Sequence, residues 1–144
     1  MSHRPRVVDA SVAIKLFIDE DSSDLAHGIF SCLTENPPGE LWVPDLFYAE
    51  CGNMLWKLIR FHGYPYSRAR ANLRDLTALA LRSAPLAGLI EPALTLAAKH
   101  EVTVYDACYL ALAQRLSIPL VTADEKLARK LAASRPEVQT LSGR

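Results

Sequence analysis

Neither sign of charge dominates this chain of 144 residues, because sixteen Lys and Arg are matched by sixteen Asp and Glu. That excludes a global field drawing it to nucleic acid or to a membrane surface, so any such affinity must come from a local patch. Long apolar runs are also lacking. The most apolar region, 76–98, is interrupted by Arg82, Pro85, Glu91 and Pro92, and cannot supply the ~20 apolar residues of a spanning helix. The opening Met1 to Asp9 has only a brief apolar run before an acid, which does not read as a signal peptide. A soluble protein with no membrane partner is expected. Cysteine is scarce: Cys32, Cys51 and Cys108 form no C-x-x-C pair. Two of them sit inside apolar helical patterns, as small core residues of a protein in a reducing cytoplasm would. The histidines His3, His27, His62 and His100 show no ligand spacing, which disfavours zinc.

What is present is apolar content, half of the composition, enough for one domain over 1–144 to bury a core without staples. No repeat, low-complexity tract or domain boundary interrupts it. Residues 6–9 read as a short buried strand ending at an acid, and 11–17 as a helix that follows directly. The acidic stretch 19–24 caps a helix over 24–34. Asn36-Pro37-Pro38-Gly39 is a loop, 40–43 a strand, and 45–61 a long helix whose stripe is Phe47, Cys51, Met54, Leu55 and Leu58. After the turn at Gly63-Tyr64-Pro65, Ser67 is placed to cap a helix over 68–81 that pairs with it. Helices over 89–99 and about 103–114, a strand over 118–122, a helix over 124–133 and a strand over 138–141 complete the chain. Short apolar strands alternating with helices predict an α/β fold, a mostly parallel central sheet with helices on both faces.

Four acids fall in apolar settings. In an open parallel sheet, ligands collect beyond the carboxyl ends of the strands. Asp9 and Asp124 both fall there. Asp106 shares a helix face with the apolar Tyr109, Leu110 and Ala113, and Glu50 lies beside the stripe of the long helix. Singly, each has a plain explanation. Asp9 or Ser11 can cap a helix, Thr122-Ala123-Asp124-Glu125 fits a capping box, and Thr103-Val104-Tyr105-Asp106 fits a looser one. Glu50 can pair with Lys57 or Lys15. Jointly they raise another prospect, since carboxylates within ~5 Å of one another repel by ~3 kcal/mol per ionised pair at an effective dielectric near 20. Such a group needs a cation. Mg²⁺ or Mn²⁺ fits, being a hard ion that takes oxygen ligands and keeps waters, and it suits phosphoryl chemistry.

Val8-Asp9-Ala10-Ser11, Ala49-Glu50-x-x-Asn53, Tyr105-Asp106-Ala107-x-Tyr109-x-Ala111-Leu112-Ala113 and Val121-Thr122-Ala123-Asp124-Glu125-Lys126-Leu127 together resemble the PIN-domain nucleases, most closely the VapC-type toxins of toxin–antitoxin pairs. The resemblance spans nearly the whole chain. It implies a three-layer α/β/α fold and an acidic pocket holding Mg²⁺ or Mn²⁺ for endonucleolytic RNA hydrolysis. By motif, Asp9, Glu50, Asp106 and Asp124 match the family's acidic quartet, with Asp9, Asp106 and Asp124 on the metal and Glu50 direct or through water. Ser11 and Thr122 match the polar residues beside it. The resemblance also implies a VapB-type antitoxin as partner and a homodimer.

For the RNA itself, no acid interrupts 51–74, where Lys57, Arg60, Arg68, Arg70 and Arg74 fall. These are candidate phosphate contacts, as is Lys126, and Tyr64 and Tyr66 can stack on unpaired bases. The competing functions are a non-catalytic PIN-like RNA- or protein-binding module and a housekeeping RNA-processing nuclease. A phosphotransferase of the haloacid-dehalogenase kind would want a second aspartate two residues after Asp9, where Ser11 stands.

Overall fold

The structure, a computed structural model, describes residues 4–18 and 23–141. Most of the acidic stretch 19–24 therefore lies outside the described residues. Five strands form one sheet: β1 (Arg6–Val8), β2 (Leu41–Pro44), β3 (Arg82–Ala84), β4 (Leu120–Thr122) and β5 (Val138–Thr140), in the order β3-β2-β1-β4-β5 with every pairing parallel. Between them run α1 (Ala10–Ala13), α2 (Ser23–Phe30), α3 (Leu46–His62), α4 (Tyr66–Thr77), α5 (Ile90–His100), α6 (Val104–Leu116) and α7 (Glu125–Lys130). The neighbours Val7 and Val8 point to opposite faces of β1 and are both fully buried, as are Leu120 and Thr122 with Val121 between them. Both faces of the sheet are therefore covered, and the predicted α/β architecture holds.

The chain lays down β1, β2 and β3 toward one edge, then returns past β1 to add β4 and β5 on the other side. The reversal falls between β1 and β4, registered Val7 to Leu120 and Val8 to Val121. Helix α6 lies against β1, β2 and β4, and α5 packs along α6. Every residue from Ala107 to Ala113 is consequently buried. Its alanines let the neighbours approach closely, while Tyr109, Leu110 and Leu112 fill the space between. Helix α3 buries Phe47, Cys51 and Leu55. It ends at Gly63, whose φ of 65° is the left-handed conformation that favours glycine. The hairpin with α4 closes over a small apolar cluster of Ile14, Leu55 and Ala69. All three cysteines are buried and free. Among the described residues no helix is long and apolar enough to cross a membrane.

The hairpin departs from its prediction at both ends. Helix α4 starts at Tyr66 with Pro65 as its extended cap residue, without a side-chain cap from Ser67. Proline fixes φ at the entry. The helix stops at Thr77, short of the expected 81, and Arg82–Ala84, to which the sequence assigned no element, forms the edge strand β3. An edge strand is exposed along one side, so this one lacks the apolar pattern that marks an inner strand. It is held by pairing along Trp42 to Pro44, by the Arg82 guanidinium 5.9 Å from the Trp42 ring, and by a 3.8 Å contact between Arg82 and Glu40.

Burial separates structural from replaceable leucines. Leu110→Ala, at a fully buried position, is expected to cost about 2–5 kcal/mol in urea unfolding. Leu94→Ala, at a position 61% exposed, should stay within about 0.5 kcal/mol of the parent.

Candidate active site

The parallel pairing of β1 with β4 places the loops that follow them side by side. Asp9 leaves β1 and its amide donates to Val121 O at 3.2 Å, one last rung of the ladder. Its carboxylate caps α1, Oδ1 accepting from the Ser11 amide at 3.1 Å and from the Ser11 hydroxyl. Ser11 Oγ in turn accepts from the Ala123 amide at 2.9 Å and lies 3.3 Å from Thr122 Oγ1. One hydroxyl thus ties the turn after β1 to the turn after β4. On that second turn Thr122 Oγ1 accepts from the Asp124 amide at 3.0 Å, and Asp124 Oδ1 caps α7 by accepting from Leu127 N at 3.0 Å. Asp124, and not Thr122, is the cap residue of this helix. Thr122 is still in the strand, so its hydroxyl holds the loop between them.

Glu50 and Asp106 arrive on helices. Asp106 sits in the first turn of α6, its amide donating to Thr103 Oγ1 at 3.1 Å. Glu50 lies half-buried in the second turn of α3 and accepts from the Tyr109 hydroxyl at 2.6 Å. Its partner is that phenol, and neither Lys57 nor Lys15. All four acids line one cavity of about 500 Å³, together with Ser11 and Lys57. The caps and the cavity turn out to be the same arrangement. Capping orients Asp9 and Asp124, and the cavity is the space they are oriented toward.

The electrostatics show the strain of that gathering. Asp9 is 6% exposed, and burial pushes its pKa up to about 6, against the pull of hydrogen bonds from Ser11 and Thr122 and with the added push of Asp106. Burial also raises Glu50 and Asp106, with Asp106 adding repulsion on Glu50 and Asp124 adding it on Asp106. Among the described residues no lysine or arginine forms an ion pair with any of the four.

Of the predicted basic contacts, Lys57 reaches the cavity. Lys126 lines a smaller adjoining cleft of about 200 Å³ that shares Asp106 and Asp124. Arg60, Arg68, Arg70 and Arg74 lie on the α3–α4 hairpin outside the cavity lining. There Arg60 stacks on Phe61 at 5.2 Å and Arg68 on Tyr64 at 5.8 Å. Tyr64 also accepts a hydrogen bond from Asn72 at 2.5 Å, which ties it into the hairpin, while Tyr66 is 66% exposed. The Tyr109 hydroxyl was missed from sequence, where Tyr109 counted only as part of an apolar stripe. Its signal was a tyrosine where phenylalanine would pack equally well, since a buried phenol needs a polar partner.

The donor set fits a hard divalent cation. It is all carboxylate, and an ion would offset both the burial that chiefly raises three of the four acids and the repulsion that adds to it. Among the described residues no three such side chains stand close enough to form a ready-made ligand set. A hard ion that keeps much of its water needs only one or two carboxylates directly.

The PIN-domain family profile matches residues 6–132. The chain belongs to the PIN-domain family. It is 37% identical over 129 residues to Ribonuclease VapC3 of Pyrobaculum aerophilum, covering 88% of this chain and 95% of that protein. It is 33% identical over 124 residues to Ribonuclease VapC1 of Mycobacterium tuberculosis, covering 85% and 87%. The PIN fold is shared with solved structures: the Pyrobaculum aerophilum protein PAE2754 (TM-score 0.69, 24% identity, 96% of this chain and 84% of that one) and the sarcin–ricin loop cleaving toxin VapC20 of Mycobacterium tuberculosis (TM-score 0.67, 19% identity, 92% and 98%).

Because burial raises Asp9, its ionised form destabilises the metal-free fold. A carboxyl whose folded pKa lies above its unfolded value favours folding fully only below the latter, and this contribution is lost as pH rises through the folded pKa. Metal-free stability should therefore rise as pH falls from neutrality through about 6 toward 4. Asp9→Asn is expected to stabilise the metal-free protein by about 1–3 kcal/mol near neutral pH, measured by urea unfolding in EDTA. A less stable variant would contradict this account of the site.

Proposed function

We propose that this protein is a divalent-metal-dependent endoribonuclease, using Mg²⁺ or Mn²⁺, and the toxin of a toxin–antitoxin pair. The observation that carries the reading is the convergence of Asp9, Glu50, Asp106 and Asp124 on one cavity at the carboxyl edge of the sheet, in a chain 37% identical to Ribonuclease VapC3. The fold's likeness to a toxin–antitoxin complex from Klebsiella pneumoniae (TM-score 0.60) and to VapBC2 of Rickettsia felis, solved with a DNA fragment from its promoter (TM-score 0.61), accords with a VapB-type antitoxin as partner. A homodimer in the cytoplasm completes the reading.

The residues divide the work. Asp9, Asp106 and Asp124 would hold the ion, directly or through its waters, with Glu50 on it or on its water. When bound, the ion polarises the scissile phosphate, makes water a better nucleophile and neutralises charge on the leaving oxygen. Ser11 and Thr122 fix the Asp9 and Asp124 turns relative to each other, so those two carboxylates are set before substrate arrives. Lys57 faces the same cavity with the opposite charge and can contact a phosphate there. Lys126 offers a second such contact beyond Asp106 and Asp124.

Purified protein should cut mixed RNA with Mg²⁺ or Mn²⁺ and leave it whole in EDTA. Asp106→Asn should lower the rate by about a hundredfold or more, the scale of losing several kcal/mol of metal-borne stabilisation. Expression without an antitoxin should arrest growth in wild-type form and not as Asp106→Asn. RNA that stays whole with metal sinks the nuclease reading, and cleavage without growth arrest points to RNA processing instead.

A further inference from the structure

In three of the four acids of the cavity a hydrogen bond from the protein holds one carboxylate oxygen, which leaves the carboxylate free lone pairs but fixes the way it faces. Asp9 Oδ1 accepts from the amide and hydroxyl of Ser11, Asp124 Oδ1 from the amide of Leu127, and Glu50 Oε1 from the hydroxyl of Tyr109. The first two bonds are local, made by the turn that carries the acid. The third joins residues 59 apart in sequence and links α3 to α6. It is also the one whose donor serves no cap. Tyr109 is 2% exposed within the main core, so its ring is held by packing and its hydroxyl has a fixed position. The carboxylate of Glu50, at the end of a flexible side chain, has none of its own. A phenylalanine at 109 would preserve nearly all the packing and release Oε1.

We infer that Tyr109 is a positioning residue that makes Glu50 a one-oxygen donor, and that this restraint, matched on Asp9 and Asp124, biases the cavity toward Mg²⁺ and Mn²⁺ and against Ca²⁺. The inference rests on the metal-dependent reading above. Ca²⁺ takes six to eight oxygens and readily accepts both oxygens of one carboxylate, whereas Mg²⁺ demands a smaller octahedral shell and retains waters. Turning Glu50 to offer both oxygens requires rotation about its last bond, and the Tyr109 hydroxyl opposes that rotation. Donors limited to one oxygen each satisfy the smaller shell and leave the larger one short. Metal ligands are commonly oriented by such partners, whose loss alters affinity by about 10–100-fold.

Calorimetric titration of the metal-free protein with MgCl₂, MnCl₂ and CaCl₂, without RNA, reads the ratio of Ca²⁺ to Mg²⁺ affinity directly. In Tyr109→Phe that ratio is expected to rise by about tenfold, and adding Glu50→Gln should remove the rise. A purely structural role would weaken both ions together and leave the ratio unchanged. That result, or a rise that persists with Glu50→Gln, overturns the inference. Should Tyr109→Phe lose its fold by circular dichroism, Glu50→Asp, which keeps the charge and draws the carboxylate back from the Tyr109 hydroxyl, is expected to move the ratio the same way, and an unchanged ratio there overturns the inference equally. Wild-type protein that binds none of the three ions overturns the metal-dependent reading and this inference with it. Wild-type protein that cleaves RNA with Mg²⁺, beside variants of unchanged ratio, overturns this inference alone.

Discussion

Because β1 and β4 run parallel and adjacent, with Val8 beside Val121, the two turns that leave them are neighbours, and everything about the acidic cavity depends on that pairing. Strand order makes the site as much as side chains do. If β4 had been added at the far edge, Asp124 would sit several strand widths, each about 4.8 Å, from Asp9. The Ser11 hydroxyl secures the junction, since it touches Asp9, Ala123 and Thr122 at once. This explains why a serine beside an acid, a weak motif in itself, occupies a structurally decisive position.

Gathering acids in this way opposes folding. The cost of burying these carboxylates, with a smaller share from their mutual repulsion, registers as raised pKa values on Asp9, Glu50 and Asp106 and is offset by a core that is ordinary for an α/β domain. Neither disulfide nor buried ion pair reinforces it among the described residues. The supporting groups are instead hydrogen-bond donors placed behind three of the four carboxylates: Ser11, Leu127 and Tyr109. They hold the acids in place without neutralising them, which leaves the charge available to a cation.

Much of this was legible in the sequence because it is encoded locally. Buried parallel strands write continuous apolar runs, as at Val7-Val8 and Leu120-Val121, and helices write their stripes. The acids announced themselves as carboxylates in apolar company. Two kinds of feature escaped. Strand β3, Arg82-Ser83-Ala84, is defined by its neighbour β2 rather than by its own residues, so no local pattern carries it. Glu50's partner was sought among lysines because charge suggests charge, whereas the fold supplies a phenol from a helix 59 residues away. The reach of the basic residues was likewise beyond the sequence. Arg68, Arg70 and Arg74 share a charge pattern with Lys57, yet only the turn of α3 decides that Lys57 meets the acids.

Helix α6 is enclosed on every side between Ala107 and Ala113, while the α3–α4 hairpin leaves Trp56, Phe61 and Tyr66 open to solvent. Substitution is therefore tolerated very unevenly. A side chain added inside α6 displaces both the sheet and α5, and with them Asp106. A change on the outer hairpin disturbs little but the surface it presents. The acids are lodged where the chain cannot drift and the exposed aromatic side chains where it can, so the hairpin surface can be rewritten without moving the cavity.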